Sequence, residues 1–251
     1  MRIPFLALLV TLLFGQTAQA EPSPAVLDAK RFTLDNGLTV LLLEDHAAPF
    51  VQVLLSLDVG SAHDPAHSPG TSAVMVELLE NASTRHVRDS DRFGLIEAFG
   101  VHPWTTEVSA NDDRTWIRAL VPSHALELAL FLESDRLGYF SDGIDAASVR
   151  HAQKTLTERL GTSWTDSFRS VAYAAQTEMF GPKHAYGVRW GAREITRFKP
   201  SELRLRARRL YGPNRAVLAL TGDVTLRRAK ELAQRYFGTL PRVEAAPKLP
   251  Q

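Results

Sequence analysis

The order in which strand-like and helix-like hydrophobic periods follow one another constrains this chain more than any other feature. Arg31 to Leu34 and Leu38 to Leu43 are strand-like segments on either side of Asn36-Gly37. Asn-Gly is the strongest two-residue hairpin signal, since both residues tolerate the positive φ of a type I′ turn, and it predicts a tight turn here. Phe50 to Val59 alternates in part and reads as a third strand. Gly60 to Gly70 is a loop rich in Gly, Pro, Ser and Asp; Thr71 to Asn81 is then apolar along one face and predicts a helix. Asp91 to Phe99 predicts a second helix, ended by a break from Gly100 to Pro103. Val108 to Leu120 reads as strand around a polar turn at Asn111 to Arg114. Ser123 is a candidate N-cap for a helix reaching Tyr139, with Glu127 near the positive end of its dipole. Further helices are predicted over Asp145 to Leu160, Val171 to Phe180 and Lys199 to Tyr211, then a strand over Ala216 to Thr221 and a last helix over Leu226 to Phe237. Runs of strands and helices without strict alternation predict an α+β layer fold.

Composition excludes several classes of function. Lys plus Arg number 29 and Asp plus Glu 28, a balance that offers a polyanion nothing to hold, so nucleic acid is not an expected partner. Cysteine is absent, which removes disulfides, thiolate metal sites and cysteine nucleophiles together. Met1-Arg2, the apolar run Ile3 to Phe14 and the small-x-small end Ala18-Gln19-Ala20 predict a cleaved signal peptide over residues 1–20 and export to the periplasm or the medium. The run is too short to span a bilayer, and no later segment is long and apolar enough to do so. A lead-in over residues 21–30, one domain over 31–241 and a Pro-containing tail over 242–251 complete the expected organisation.

Several segments together resemble the pitrilysin/insulinase family of zinc peptidases, the mitochondrial-processing-peptidase-like enzymes. Leu34 to Leu42 matches the "LxNGLxVxL" that opens the family's N-terminal domain. Val59-Gly60-Ser61 and Pro69-Gly70 follow, and Phe131-Leu132-Glu133-Ser134-Asp135-Arg136-Leu137 is similar to its "LESDRM" helix. Tyr211-Gly212-Pro213-Asn214, Gly222-Asp223-Val224 and Tyr236-Phe237-Gly238 resemble its ending. The resemblance covers residues 31 to 241 and implies a two-layer α+β domain, a sheet with helices on one face, of the metallopeptidase LuxS/MPP-like type.

Active members carry an inverted zincin motif, "GxAHxxEHM". Two His at i and i+4 share one helix face and reach one metal, while the Glu between them acts as general base on the metal-bound water. Here the helix reads Thr71-Ser72-Ala73-Val74-Met75-Val76-Glu77-Leu78-Leu79. Val74 and Leu78 fall at the two histidine positions and Glu77 at the general base. Valine and leucine offer no lone pair. The family's third ligand, a Glu, lies in the helix after Asp145; one register puts His151 there, and another puts Glu158 near the site. His63 and His67 are either substitute ligands or solvated loop residues. Glu77 is either an idle base or a partly buried carboxylate paired with His151.

The family's substrate strand, "GGxxNAxT", is altered as well. Its counterpart is Gly100-Val101-His102-Pro103-Trp104 followed by Glu107, Val108, Ser109 and Ala110; Pro103 removes a backbone donor and Glu107 replaces the Asn. No Gly-x-Ser-x-Gly and no phosphate-binding glycine loop occurs. Arg204, Arg206, Arg208 and Arg209 are expected on a solvated helix face, with an acidic partner as the alternative, and Trp104, Trp116, Trp164 and Trp190 are expected in the core or at an interface. The resemblance therefore implies an inactive metallopeptidase-like domain with no bound metal expected, where active relatives carry zinc. It would serve as chamber wall or partner to a second chain or domain with an intact HxxEH, around a peptide substrate. The alternative is an active zinc endopeptidase using substitute ligands.

Overall fold

The computed structural model describes residues 28–100, 106–161, 164–188 and 190–244. The signal-peptide segment, most of the lead-in, Val101 to Thr105 and the tail beyond Glu244 lie outside the described residues. The elements are β1 (Lys30–Thr33), β2 (Thr39–Glu44), β3 (Phe50–Leu57), α1 (Thr71–Asn81), α2 (Asp89–Ala98), β4 (Thr106–Ala110), β5 (Thr115–Pro122), α3 (Leu126–Tyr139), α4 (Ala146–Gly161), α5 (Trp164–Phe180), α6 (Ala192–Ile195), α7 (Pro200–Leu210), β6 (Ala216–Gly222) and α8 (Leu226–Phe237).

The strands form one six-stranded sheet in the order β1-β2-β6-β3-β5-β4. β2 and β6 run parallel and the other pairs antiparallel, so the late strand β6 enters the middle of an early hairpin set. Register puts Val40 and Leu42, Leu218 and Leu220, Val53 and Leu55, and Ile117 and Ala119 on one face, all buried. Alternation along each strand sends these side chains the same way. α3 and α8 lie against each other and against this face, burying Leu126, Leu130, Leu232 and Phe237. Each such side chain contributes about 1.5–3 kcal/mol. The opposite face carries Leu41, Leu43, Gln52, Leu54 and Arg118, half-buried or exposed, with Leu120 42% exposed. This is the expected two-layer α+β arrangement with helices on one face.

Three local expectations are corrected, and one short helix is added. The β1–β2 turn is not type I′: Gly37 (φ 91) is left-handed but Asn36 is not. Gly37 N–H donates to Leu34 O at 2.8 Å and Leu34 N–H to Leu38 O at 2.9 Å, the pattern of a three-residue loop with a left-handed glycine. Asn36 is held instead by its side chain, whose amide donates to Phe237 O (2.7 Å) and Leu240 O (3.1 Å) at the end of α8. Ser123 does not cap α3; its N–H donates to Pro49 O at 2.9 Å and it opens a 3-10 turn before the helix. α5 begins at Trp164, about two turns ahead of the predicted start at Val171, and the short α6 was not predicted.

Candidate functional site

The helix that carries the altered zincin motif is fixed at both ends. Its N-cap, Gly70, is left-handed (φ 85) and offers no side chain, so an upstream carboxylate takes the capping role. Asp64 accepts from Ser72 N–H at 3.0 and 3.1 Å and from Ser72 Oγ at 2.6 Å, satisfying an amide that the first helical turn leaves without a partner. Arg206 of α7 pairs with Asp64 at 2.8 Å and also donates to His63 O at 3.0 Å. Burial pushes the Asp64 carboxyl up, and Arg206 opposes the shift. Arg206 is thus an interior residue, and only its neighbours Arg204, Arg208 and Arg209 are exposed as expected.

At the other end, the buried Arg92 donates to the α1 carbonyl Glu80 O (2.8 Å) and to Ala82 O (3.0 Å) just past it. Burial lowers its pKa to about 10. The Glu133-Ser134-Asp135-Arg136 segment of α3 supports the same corner. Asp135 accepts from Thr84 Oγ1 and from His86 N–H, and His86 Nδ1 lies 2.5 Å from it. Glu133 and Arg136 form a buried pair at 2.9 Å. The "LESDR" resemblance therefore marks a bracket under the end of α1.

Between these anchors, Val74 is 0% and Leu78 1% exposed, and both belong to the hydrophobic core. Glu77, on the same helix, is also buried, and its carboxylate accepts from the Arg159 guanidinium of α4. Asn81 Nδ2 lies 3.5 Å away. Burial pushes the Glu77 carboxyl up; the Arg159 charge opposes this, and the His151 charge contributes less. The pairing with His151 is corrected: His151 is exposed on α4, and Arg159 is the residue that reaches the carboxylate. Glu158 is exposed, 3.8 Å from Lys154. His63 accepts from Gly60 N–H at 3.2 Å, and burial with the Arg215 charge lowers its pKa; His67 is exposed. These residues do not fit zinc. Two ligand positions are hydrocarbon, the carboxylate beside them is neutralised by a guanidinium, and among the described residues no group of three His, Asp or Glu could hold a metal ion.

Among the described residues β4 is the last strand of the sheet, paired with β5. Glu107 is exposed and paired with Arg118 across the strands, with Arg118 Nε at 3.0 Å. Val108 packs on the core, and Ser109 and Ala110 are half-buried. Pro103 and Trp104 lie outside the described residues. Trp116 and Trp190 are half-buried, and a Cβ on Gly70 would come within 2.9 Å of the Trp190 ring.

The family model described as the peptidase M16 inactive domain matches residues 197–251. It is a model of the inactive domain, not of the N-terminal peptidase domain whose motifs the sequence resembles. No curated protein matches. Among solved structures, the peptidase M16 inactive domain from Pseudomonas fluorescens is similar at 20% identity and TM-score 0.78, over 90% of this chain and 54% of that one. The first half of the periplasmic protease PqqL from Escherichia coli is similar at 17% identity and TM-score 0.75, over 88% and 48%. Pitrilysin is similar at 19% identity and TM-score 0.72, over 89% and 24%. The fold is that of M16 peptidase domains. The chain spans about half of the first two structures and a quarter of pitrilysin.

Proposed function

We propose that this chain is an exported, non-catalytic member of the pitrilysin-like M16 peptidases, acting as partner or chamber-wall unit to a zinc-bearing counterpart. One observation carries the reading: where the family's motif puts two metal-binding histidines, Val74 and Leu78 are packed into the core, and Arg159 occupies the general-base carboxylate of Glu77. A carboxylate engaged by a guanidinium, beside hydrocarbon where two metal ligands would stand, has no metal-activated water to take a proton from. The description of the matching family model as an inactive domain supports the same reading. The place of β4 as the outermost described strand supports a residual role in receiving an extended peptide by strand addition, with Glu107, Val108, Ser109 and Ala110 along it. No described helix is long and apolar enough to cross a membrane.

The test mixes the mature chain with an M16 peptidase chain bearing an intact HxxEH and follows both co-migration and cleavage of a fluorogenic peptide. The reading predicts no cleavage by this chain alone and a stable, more active complex. Cleavage by this chain alone that a chelator abolishes would contradict it.

A further inference from the structure

A second feature shares no residue with the Glu77 group. The end of α3, the 3-10 turn Phe140–Gly143, the last turn of α7 and the segment after α8 enclose a cavity of about 430 Å³. Its lining includes three arginines, Arg85, Arg208 and Arg242, and one carboxylate, Asp142. Arg85 Nη2 lies 2.8 Å and Arg208 Nη2 3.8 Å from Asp142, so two guanidiniums converge on a single acid. Arg242 makes one long bond, 3.4 Å, to the backbone oxygen of Asp35. The nearby Glu244 is engaged by Arg209 at 3.6 Å. The lining therefore carries two positive charges beyond what Asp142 compensates.

The walls are built, not loose. The Arg85 guanidinium lies over the Tyr139 ring at 4.1 Å, which fixes its plane. Val243 is tied to Asn214 by bonds of 2.8 and 3.0 Å and packs so closely that a Cβ on Gly212 would meet it at 2.3 Å. Pro241 and Val243, backed by the buried Phe140, give the same cavity an apolar side. Guanidiniums present paired donors that match the two oxygens of a carboxylate, and solvent screens such a contact less in a concave site than on a flat surface.

We propose that this cavity docks an acidic segment of a partner polypeptide, with a carboxylate side chain between Arg85, Arg208 and Arg242 and an adjacent apolar side chain against Pro241 and Val243. Charge complementarity selects the occupant: a basic or neutral segment would leave the surplus guanidiniums uncompensated. It also gives a use to Arg208, an exposed arginine of α7 that the Glu77 site leaves unexplained.

The experiment is fluorescence anisotropy of the full chain with a labelled Gly-Phe-Glu-Glu-Phe-Gly peptide, its Gln-Gln counterpart as control and inorganic phosphate as competitor. Binding of the acidic peptide should fall about tenfold or more in Arg208→Gln/Arg242→Gln and stay unchanged in Arg204→Gln, on the same helix but outside the lining. Thermal melts of the variants establish that the fold is kept. Equal binding of the Gln-Gln peptide, or unchanged binding in the double variant, would overturn the proposal. So would phosphate binding without peptide binding, which would make the cavity a small-anion site. None of these outcomes bears on the reading of Glu77, which is tested by metal content and cleavage.

Discussion

Glu77 carries a carboxylate into a helix face whose neighbouring positions are hydrocarbon, and Arg159 is what makes that tolerable. A buried pair broken from one side typically costs about 3–5 kcal/mol, but Arg159 is largely exposed and solvent screens it. Arg159→Ala should therefore cost about 1–2 kcal/mol in a urea melt, and Glu77→Gln/Arg159→Ala should recover most of the loss. The pH dependence has a definite sign. Burial raises the Glu77 pKa above its ordinary value of 4.5, so the fold favours the protonated form. The stability linked to that group is complete below the unfolded value and is lost as pH rises through the folded one. The stability of Glu77→Gln relative to wild type should accordingly increase as pH is raised from below that range towards neutrality; a pH-independent difference would count against the buried-carboxylate account. At this scale the sequence was half legible. Val74, Glu77 and Leu78 follow from one motif on one helix, whereas Arg159 lies 82 positions from Glu77 and no local pattern joins them.

α1 is held by its neighbours more than by its own caps, since Gly70 supplies no capping side chain and Asp64 reaches in from the loop. Asp64→Asn would leave the Arg206 guanidinium buried without its counter-charge, at a cost of about 3–5 kcal/mol. Amides at the start of α1 should lose hydrogen-exchange protection first, and Asp64→Asn/Arg206→Met should regain part of the stability. Equal loss of protection across all helices would show that Asp64 acts on the whole fold and not on this end. Most elements were readable because periodicity is local: β2, β3, α1 and α8 match their predicted spans closely. The errors lie where long-range contacts decide. Asn36 keeps a negative φ because its amide is engaged by the end of α8, and Ser123 is drawn to Pro49.

On the scale of the whole molecule, a mixed sheet covered by helices on one face leaves Leu41, Leu43, Leu54 and Leu120 half-covered or exposed on the other. That order of strands was not legible, because nothing local says that β6 enters between β2 and β3. The layer class was legible, since runs of strands and helices permit few packings. The fold is shared with M16 peptidase structures, of whose chains this one spans between about half and a quarter. The central claim is that this domain lacks the family's zinc chemistry. The zinc content of the purified mature chain, measured by elemental analysis beside Glu77→Gln and His151→Ala, tests it most directly. The account predicts no zinc above the buffer blank in all three proteins; stoichiometric zinc in the wild type that disappears with His151→Ala would contradict it.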